Sequence, residues 1–333
     1  MASNVFALNN YVLYRNKYTD GKVKNAYNLS LLSHVNSTQN GVSSFFTDRG
    51  VRGDLIKRTI DSGTYPLYKI SFANGLCFYA ADETRVLVQD VDEVVRVDEL
   101  EVGNRLPFVR YSYFGESDDF SRDDGTFVGI CCSKYLDDDR YYPLYFTKEE
   151  GDALATAESY LRFKNMPYNR RTTAGGQTVL EVCRYPSILT NNQLSISQKY
   201  VLYYGKRFRR GFLEGLKMCR NGFYFSRDDG ALYIKRVYTY GEIESLIALV
   251  YLSLGKMPLI ETLEDEGLLR VTEVPEEDTE SYQFRGLTTY VAVTAIEEVK
   301  DLPERFCTLD TPDESVDSDR LILASGLMVP YRY

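Results

Sequence analysis

Apolar positions change their period along this chain, and the changes divide it. Around residue 70 they alternate: Pro66-Leu67-Tyr68-Lys69-Ile70-Ser71-Phe72, an Ala73-Asn74-Gly75 turn, then Leu76-Cys77-Phe78-Tyr79-Ala80. Period two on both sides of Asn-Gly predicts a β-hairpin. Arg85–Val88 and Val94–Val97 continue this β segment. Upstream, residues 1–50 are polar with few periodic runs, although Tyr11–Tyr14 predicts a strand closed by a Thr19-Asp20-Gly21 turn.

Helical spacing takes over further on. Phe212, Leu213, Leu216 and Cys219 recur at offsets of three and four, with Gly215 inside the run. A mid-helix glycine costs roughly 1 kcal/mol relative to alanine, and is kept where another backbone must come close. Phe127–Tyr135 has the same aromatic-aliphatic opening and its own notch, Gly129. Two such segments predict helices packed at an internal pseudo-twofold axis. Lys148–Phe163 (Ala153, Ala157, Tyr160, Leu161) and Ile243–Leu254, opened by Gly241-Glu242 and stopped at Gly255, also read as helices. Phe223–Phe225 and Leu232–Ile234 predict a hairpin around Ser226–Gly230. The peptide Ser-Arg-Asp-Asp-Gly occurs at 121–125 and 226–230 and reads as turn chemistry in both places. Asp137-Asp138-Asp139-Arg140 reads as a solvated hairpin turn rather than a metal site, and the acidic Glu261–Glu280 as a linker. Strands resume at Thr289–Val293, Ile296 and Leu321–Ala324.

Composition refines this picture in two respects. At 333 residues, 44% apolar and 26% charged, the chain is globular and long enough for two cores. A net charge of −9 argues against a general nucleic-acid binder. That average hides a split. Arg162–Arg236 holds 15 Lys and Arg against Glu181, Glu214, Asp228 and Asp229, a local +11 that leaves −20 on the rest.

Candidate chemistry is sparse. The six cysteines form no CxxC and there is one histidine, His34, so no Cys/His zinc set is expected and the thiols read as buried and reduced. His34, in a polar segment, reads as a surface or capping residue rather than a general base. The amino-terminal residues lack a basic-then-apolar leader pattern, and no apolar run approaches the ~20 residues that span a bilayer. A cytoplasmic protein without membrane insertion is the expectation.

The two glycine-notched segments resemble the LAGLIDADG homing endonucleases. In that family such helices pack together, and the acid before each closing glycine holds a divalent metal over DNA. Here those acids fall at Lys134 and Arg220. Both are cations, whereas Mg²⁺ requires oxygen ligands. The resemblance therefore implies an αββαββα fold that has lost its nuclease. Gly63–Leu106, together with Leu323-Ala324-Ser325-Gly326-Leu327-Met328-Val329-Pro330-Tyr331, resembles the Hint domain of inteins. There the activating Thr and His fall at Ala81 and Thr84, and the closing His and Asn at Pro330 and Tyr331. No amino-terminal splicing nucleophile stands in a recognisable context. Thr84 cannot protonate a leaving amide near neutral pH, and Tyr331 has no carboxamide to cyclise.

The resemblance implies an α+β chain: a Hint-like all-β domain built from residues 1–110 and 271–333, interrupted by a pseudo-symmetric LAGLIDADG-like insert at 111–270. No metal or other cofactor, no catalytic residue and a monomer are expected. Three functions stay open. The first is a non-catalytic recognition adaptor or scaffold of bacteriophage type, working with protein partners in trafficking or assembly inside an infected bacterial host. The second is a DNA binder using residues 162–236, with Arg170, Arg171, Lys206, Arg207, Arg209, Arg210, Arg227, Lys235 and Arg236 on phosphates. The third is an active nuclease on unaligned acids such as Asp137, Asp138 or Asp228. Self-splicing is excluded at this level, so expression should yield the intact 38.2 kDa chain.

Overall fold

Alternation becomes pairing wherever both faces of a strand find neighbours. The computed structural model describes residues 4–16, 27–35, 43–47, 50–60, 65–89, 93–109, 120–134, 143–182, 201, 204–220, 223–225, 230–235, 241–275, 277–303, 305–310, 320–323 and 325–330. The chain separates into two compact units. One comprises Met1–Tyr113, Gly241–Glu261 and Glu273–Tyr333; the other comprises Phe114–Tyr240 and Thr262–Thr272.

The first unit is woven from both ends of the chain. Val5–Ala7 pairs with Phe306–Asp310, which pairs in turn with Gly50–Ile60. Arg105–Val109 and Leu67–Phe72 both pair with the long strand Thr288–Glu298. The expected hairpin is present as Leu67–Phe72 against Cys77–Ala81. Its Asn74-Gly75 turn is held by a third segment, since the Ile260 N–H donates to the Asn74 carbonyl at 2.8 Å. Phe6, Ile70, Phe78, Phe108 and Val291 are completely buried between these strands. In the polar amino-terminal fifty residues the expected Tyr11–Tyr14 strand is present as Tyr11–Asn16, beside Val5–Ala7, Tyr27–Leu31 and Ser43–Thr47, which weak periodicity does not reveal.

The second unit is organised by two helices, α1 (Arg122–Lys134) and, after α2 (Gly151–Phe163), α3 (Lys206–Met218). Helix α1 begins five residues before the expected Phe127, because the 121–125 peptide is a cap and not a turn. The Asp124 N–H donates to Ser121 Oγ at 3.2 Å, and the Ser121 N–H donates back to Asp124 Oδ2 at 2.7 Å. Asp124 Oδ1 also accepts from the Tyr160 hydroxyl and faces Lys164 Nζ, each at 2.8 Å. Burial alone would raise this carboxyl; Lys164, Ser121 and Tyr160 outweigh it and hold the group below its usual range. The Thr19–Gly21 turn, the Asp137–Arg140 turn and the second copy of the peptide at 226–229 lie outside the described residues.

Four glycines set the distance between α1 and α3. A Cβ on Gly125 would lie 2.0 Å from the Phe208 carbonyl, and one on Gly129 2.2 Å from that of Phe212. Reciprocally, Gly211 would meet the Arg122 carbonyl at 1.9 Å and Gly215 that of Thr126 at 2.1 Å. Each glycine thus faces the residue three before its counterpart, so the contact is self-complementary. A shift of 86 residues (211 − 125, 215 − 129) exchanges the two helices. The expected pair is present with twice the notches anticipated, a GxxxG on each helix. Phe127, Phe208 and Phe212 fill its flanks, and Phe127 stacks on Tyr160 at 4.3 Å.

Two antiparallel sheets accompany the helices, Pro143–Phe146/Thr178–Val182/Tyr168–Thr172 and Phe223–Phe225/Leu232–Lys235/Leu268–Glu273. The acidic stretch after residue 261 is therefore no linker. Strands Pro258–Leu263 and Leu268–Glu273 are joined by a 3-10 turn, Glu264–Glu266, and the left-handed Gly267. Ile260, Leu268, Leu269 and Val271 are buried, and the acids that suggested a linker sit in the turn. A fourth helix, α4 (Gly241–Ser253), belongs to the first unit and stops where expected, with Gly255 at φ +82°.

Candidate functional sites

The 86-residue shift that exchanges α1 and α3 also carries Lys134 onto Arg220 (220 − 134), so the two cations occupy equivalent positions at the helix ends. The structure brings them together around one acidic pair. The Thr147 turn that follows strand Pro143–Phe146 presents Glu149 and Glu150 to the helix ends. Lys134 Nζ lies 2.5 Å from Glu150 Oε2, with these side chains 1% and 0% exposed. Glu150 Oε1 accepts the Arg220 N–H at 2.6 Å, and Oε2 accepts the Thr147 N–H at 2.9 Å. Outside this core, Arg220 Nη1 meets Glu149 Oε2 at 2.6 Å.

Burial taken alone would raise the Glu150 carboxyl. The Lys134 ammonium and the two backbone N–H groups outweigh it, and the group is held below its ordinary range. The Lys134 ammonium also faces the Phe146 ring at 5.0 Å. Beside it the Cys219 thiol is pushed up to about 12, chiefly by burial, so it is no nucleophile.

A divalent metal does not fit this donor set. Glu150 already takes an ammonium and two N–H groups, and Glu149 is engaged by Arg220. Among the described residues no group of three or more His, Cys, Asp or Glu is placed to hold a metal ion. The helix ends instead border a cavity of about 420 Å³, with Lys148, Glu149, Gln177 and Arg220 around it.

A second constellation lies in the first unit, at the start of its amino-terminal strand. Ala81 and Thr84 are fully buried. The Ala81 N–H donates to Thr84 Oγ1 at 2.9 Å, and the Thr84 hydroxyl donates to the Val5 carbonyl at 2.8 Å. Next to Val5, the Asn4 carboxamide gives its two N–H bonds to the Arg85 carbonyl at 2.8 Å and the Pro330 carbonyl at 2.6 Å. Its oxygen accepts from the N–H groups of Val5 and Arg85. Residues 4, 81, 84 and 330, far apart in sequence, thus meet at one point; Tyr331 lies outside the described residues. Every polar side-chain atom of Asn4 is in use, and the network braces strands. Thr84→Val is expected to remove two buried hydrogen bonds and cost about 2–3 kcal/mol, read as a lower thermal midpoint with the chain still intact. Thr84→Ser, which keeps the hydroxyl, should recover more than half of that loss.

The candidate binding cations divide. Register places Pro143, Glu181 and Asn169 on one sheet face together with Tyr145, Val179 and Arg171. Arg171 Nε meets Glu181 at 2.6 Å there. Arg170 belongs to the opposite face, where its Nη1 reaches Glu158 of α2 at 3.1 Å. Lys206, Arg207 and Arg210 are exposed in the first turns of α3. Arg209 is not available to a partner. It is completely buried, with Nη1 donating to the Tyr204 carbonyl at 2.7 Å. Its spacing to Phe212 and Leu216 puts it on the apolar stripe, the signal that charge counting overlooks. Lys235 closes strand Leu232–Lys235, and Arg227 and Arg236 lie outside the described residues. His34 ends a 3-10 turn, Leu32–His34. Among the described residues no helix is long and apolar enough to cross a membrane.

No protein-family model matches this chain, and neither does any curated protein. Solved structures similar to it include the crystal structure of the N-terminal LAGLIDADG domain of DUF199/WhiA, at 14% identity and TM-score 0.32 over 47% of this chain and 78% of that one. Another is the crystal structure of I-DmoI in complex with DNA and Mn, at 13% identity and TM-score 0.33 over 46% and 89%. The likeness is to a mixed α/β fold over about half of the chain.

Proposed function

We propose that the second unit is a non-catalytic nucleic-acid-binding domain of LAGLIDADG type. The observation that carries this reading is the buried Lys134–Glu150 pair, which fills the end of a self-complementary glycine-notched helix pair with a cation. Cutting needs carboxylates free to hold metal over a phosphate. Binding needs only exposed cations and polar groups on an open sheet, and Tyr145, Asn169 and Arg171 share such a face. Summed over its residues the second unit carries 20 Lys and Arg against 19 Asp and Glu, so attraction to phosphate is local. The first unit carries the remaining −10 (−9 less +1) and favours no contact with a duplex.

A labelled-duplex shift assay at rising salt tests this. Log affinity should fall by about 0.9 per phosphate neutralised for each unit of log salt, and Arg171→Ala should reduce that slope by about one. Because Glu181 holds Arg171, Glu181→Gln should tighten binding. Mg²⁺ should leave the duplex uncut. No shift at low salt, or a shift that Arg171→Ala leaves untouched, contradicts the proposal.

The first unit is read as a Hint-type domain without splicing chemistry. Its support is the weave of both chain ends and the meeting of Asn4, Thr84 and Pro330. The adaptor role expected from the sequence, with a protein partner of the bacteriophage setting, draws on this acidic and chemically closed scaffold. It predicts a partner that co-purifies with the first-unit surface at moderate salt; recovery of the chain alone from infected cells counts against it.

A further inference from the structure

The cavity at the helix ends has an unbalanced charge. Lys134, Lys148 and Arg220, three cations against the two acids Glu149 and Glu150, border its volume of about 420 Å³. Glu150 is largely occupied, since its oxygens already take two N–H groups and the ammonium. Lys134 is in the reverse position. Its buried Nζ is held by one carboxylate oxygen, Glu150 Oε2 at 2.5 Å, and has two further donors. An ammonium has three donors to place, and a buried donor without an acceptor is costly. Lys148 has no carboxylate partner among the described residues, and Arg220 is shared with a single exposed acid, Glu149. Metal cations are repelled here, whereas an oxyanion would complete the donor set.

Size narrows the ligand. Pockets that enclose small organic ligands run from about 300 to 1,000 Å³, so this one has room for more than a bare ion. Tyr145, 40% exposed, and the Gln177 amide line the same cavity, offering a ring face for stacking and a donor–acceptor pair for a base edge. We infer that the cavity is a phosphate site for a nucleotide unit, with Lys134, Lys148 and Arg220 on the phosphate and Tyr145 with Gln177 on the base. The phosphate belongs either to a strand bound by the second unit or to a free nucleotide. The site thus deepens the nucleic-acid reading and rests on it only for the strand as source.

Calorimetry on the full chain tests the site with adenosine 5′-monophosphate, adenosine and a short oligonucleotide lacking a terminal phosphate. The monophosphate should bind and adenosine should not. Lys148→Ala should weaken monophosphate binding about tenfold, the loss of one charged hydrogen bond, and Lys148→Arg should restore it. Glu149→Gln, which releases Arg220, should tighten it, an effect that a merely structural role would not produce. Monophosphate binding without oligonucleotide binding keeps the site and removes the strand-binding function. Oligonucleotide binding that responds to Arg171→Ala but not to Lys148→Ala or Glu149→Gln keeps that function and overturns the site. Equal binding of adenosine and its monophosphate, or no monophosphate binding, also overturns it.

Discussion

Gly215→Ala is expected to destabilise the second unit by about 3 kcal/mol, lowering its thermal midpoint by roughly 10 °C. Two effects oppose each other at this position. Alanine gains about 1 kcal/mol of helix propensity over glycine. Its methyl, however, would stand 2.1 Å from the Thr126 carbonyl and 2.8 Å from the Ile130 nitrogen. Those are backbone atoms of α1, so no rotamer relieves the clash and the helices must separate. Overpacking wins because the separation loosens Phe127, Phe208 and Phe212 together. Gly129→Ala should match it in size, since its contacts repeat those of Gly215 under the 86-residue shift. The double variant should cost clearly less than the sum, because the first methyl already forces the helices apart. Gly151→Ala is the control, with open space where its Cβ would be. Circular dichroism melts of the four proteins check the set, and equal midpoints for Gly151→Ala and Gly215→Ala would remove the close-contact account.

Lys134→Met carries the second large expected effect, about 3–5 kcal/mol at pH 7. The loss comes less from the pair's attraction than from Glu150, left ionised and fully buried with only two N–H groups to face. Glu150→Gln added to Lys134→Met should recover more than half, since the charge disappears while the side chain can still accept from the backbone. The pH dependence separates this cause from lost packing. In the wild type Glu150 titrates below its unfolded value, so its contribution is complete above about pH 4.3 and fades as pH falls through the folded value. In Lys134→Met burial dominates and the folded value rises above the unfolded one. That variant's deficit is then present at neutral pH and shrinks on acidification. Melts from pH 7 down to 5 should narrow the gap between wild type and variant. A gap that stays constant would assign the loss to packing alone.

The helix pair was legible because one glycine in an apolar helical run has few explanations. Gly129 and Gly215 were visible on that ground. Gly125 and Gly211 are hidden, because Gly125 sits in a peptide with turn composition and Gly211 follows a run of arginines. Lys134 and Arg220 are related by the same 86-residue shift, but the sequence does not show their partner. Glu150 sits in an ordinary Lys-Glu-Glu helix start, and nothing local marks it as the acid beneath Lys134. Asn4 is invisible for the same reason: three hydrogen bonds reaching residues 81 and 326 positions away leave no trace in its neighbours. Charge counting failed in both directions. It reads Glu261–Glu280 as a linker although strands flank the Glu264–Glu266 turn, and Arg209 as a surface cation although its helix face is apolar.

The helix ends hold a cation of the protein's own in place of a metal. Titrating Mn²⁺ into the protein–duplex mixture, with free Mn²⁺ followed by electron paramagnetic resonance, tests that point directly. The prediction is no stoichiometric uptake beyond that of the duplex alone, and an uncut duplex at every Mn²⁺ concentration. One or more ions taken up per chain, and released again by Glu150→Gln, would contradict it.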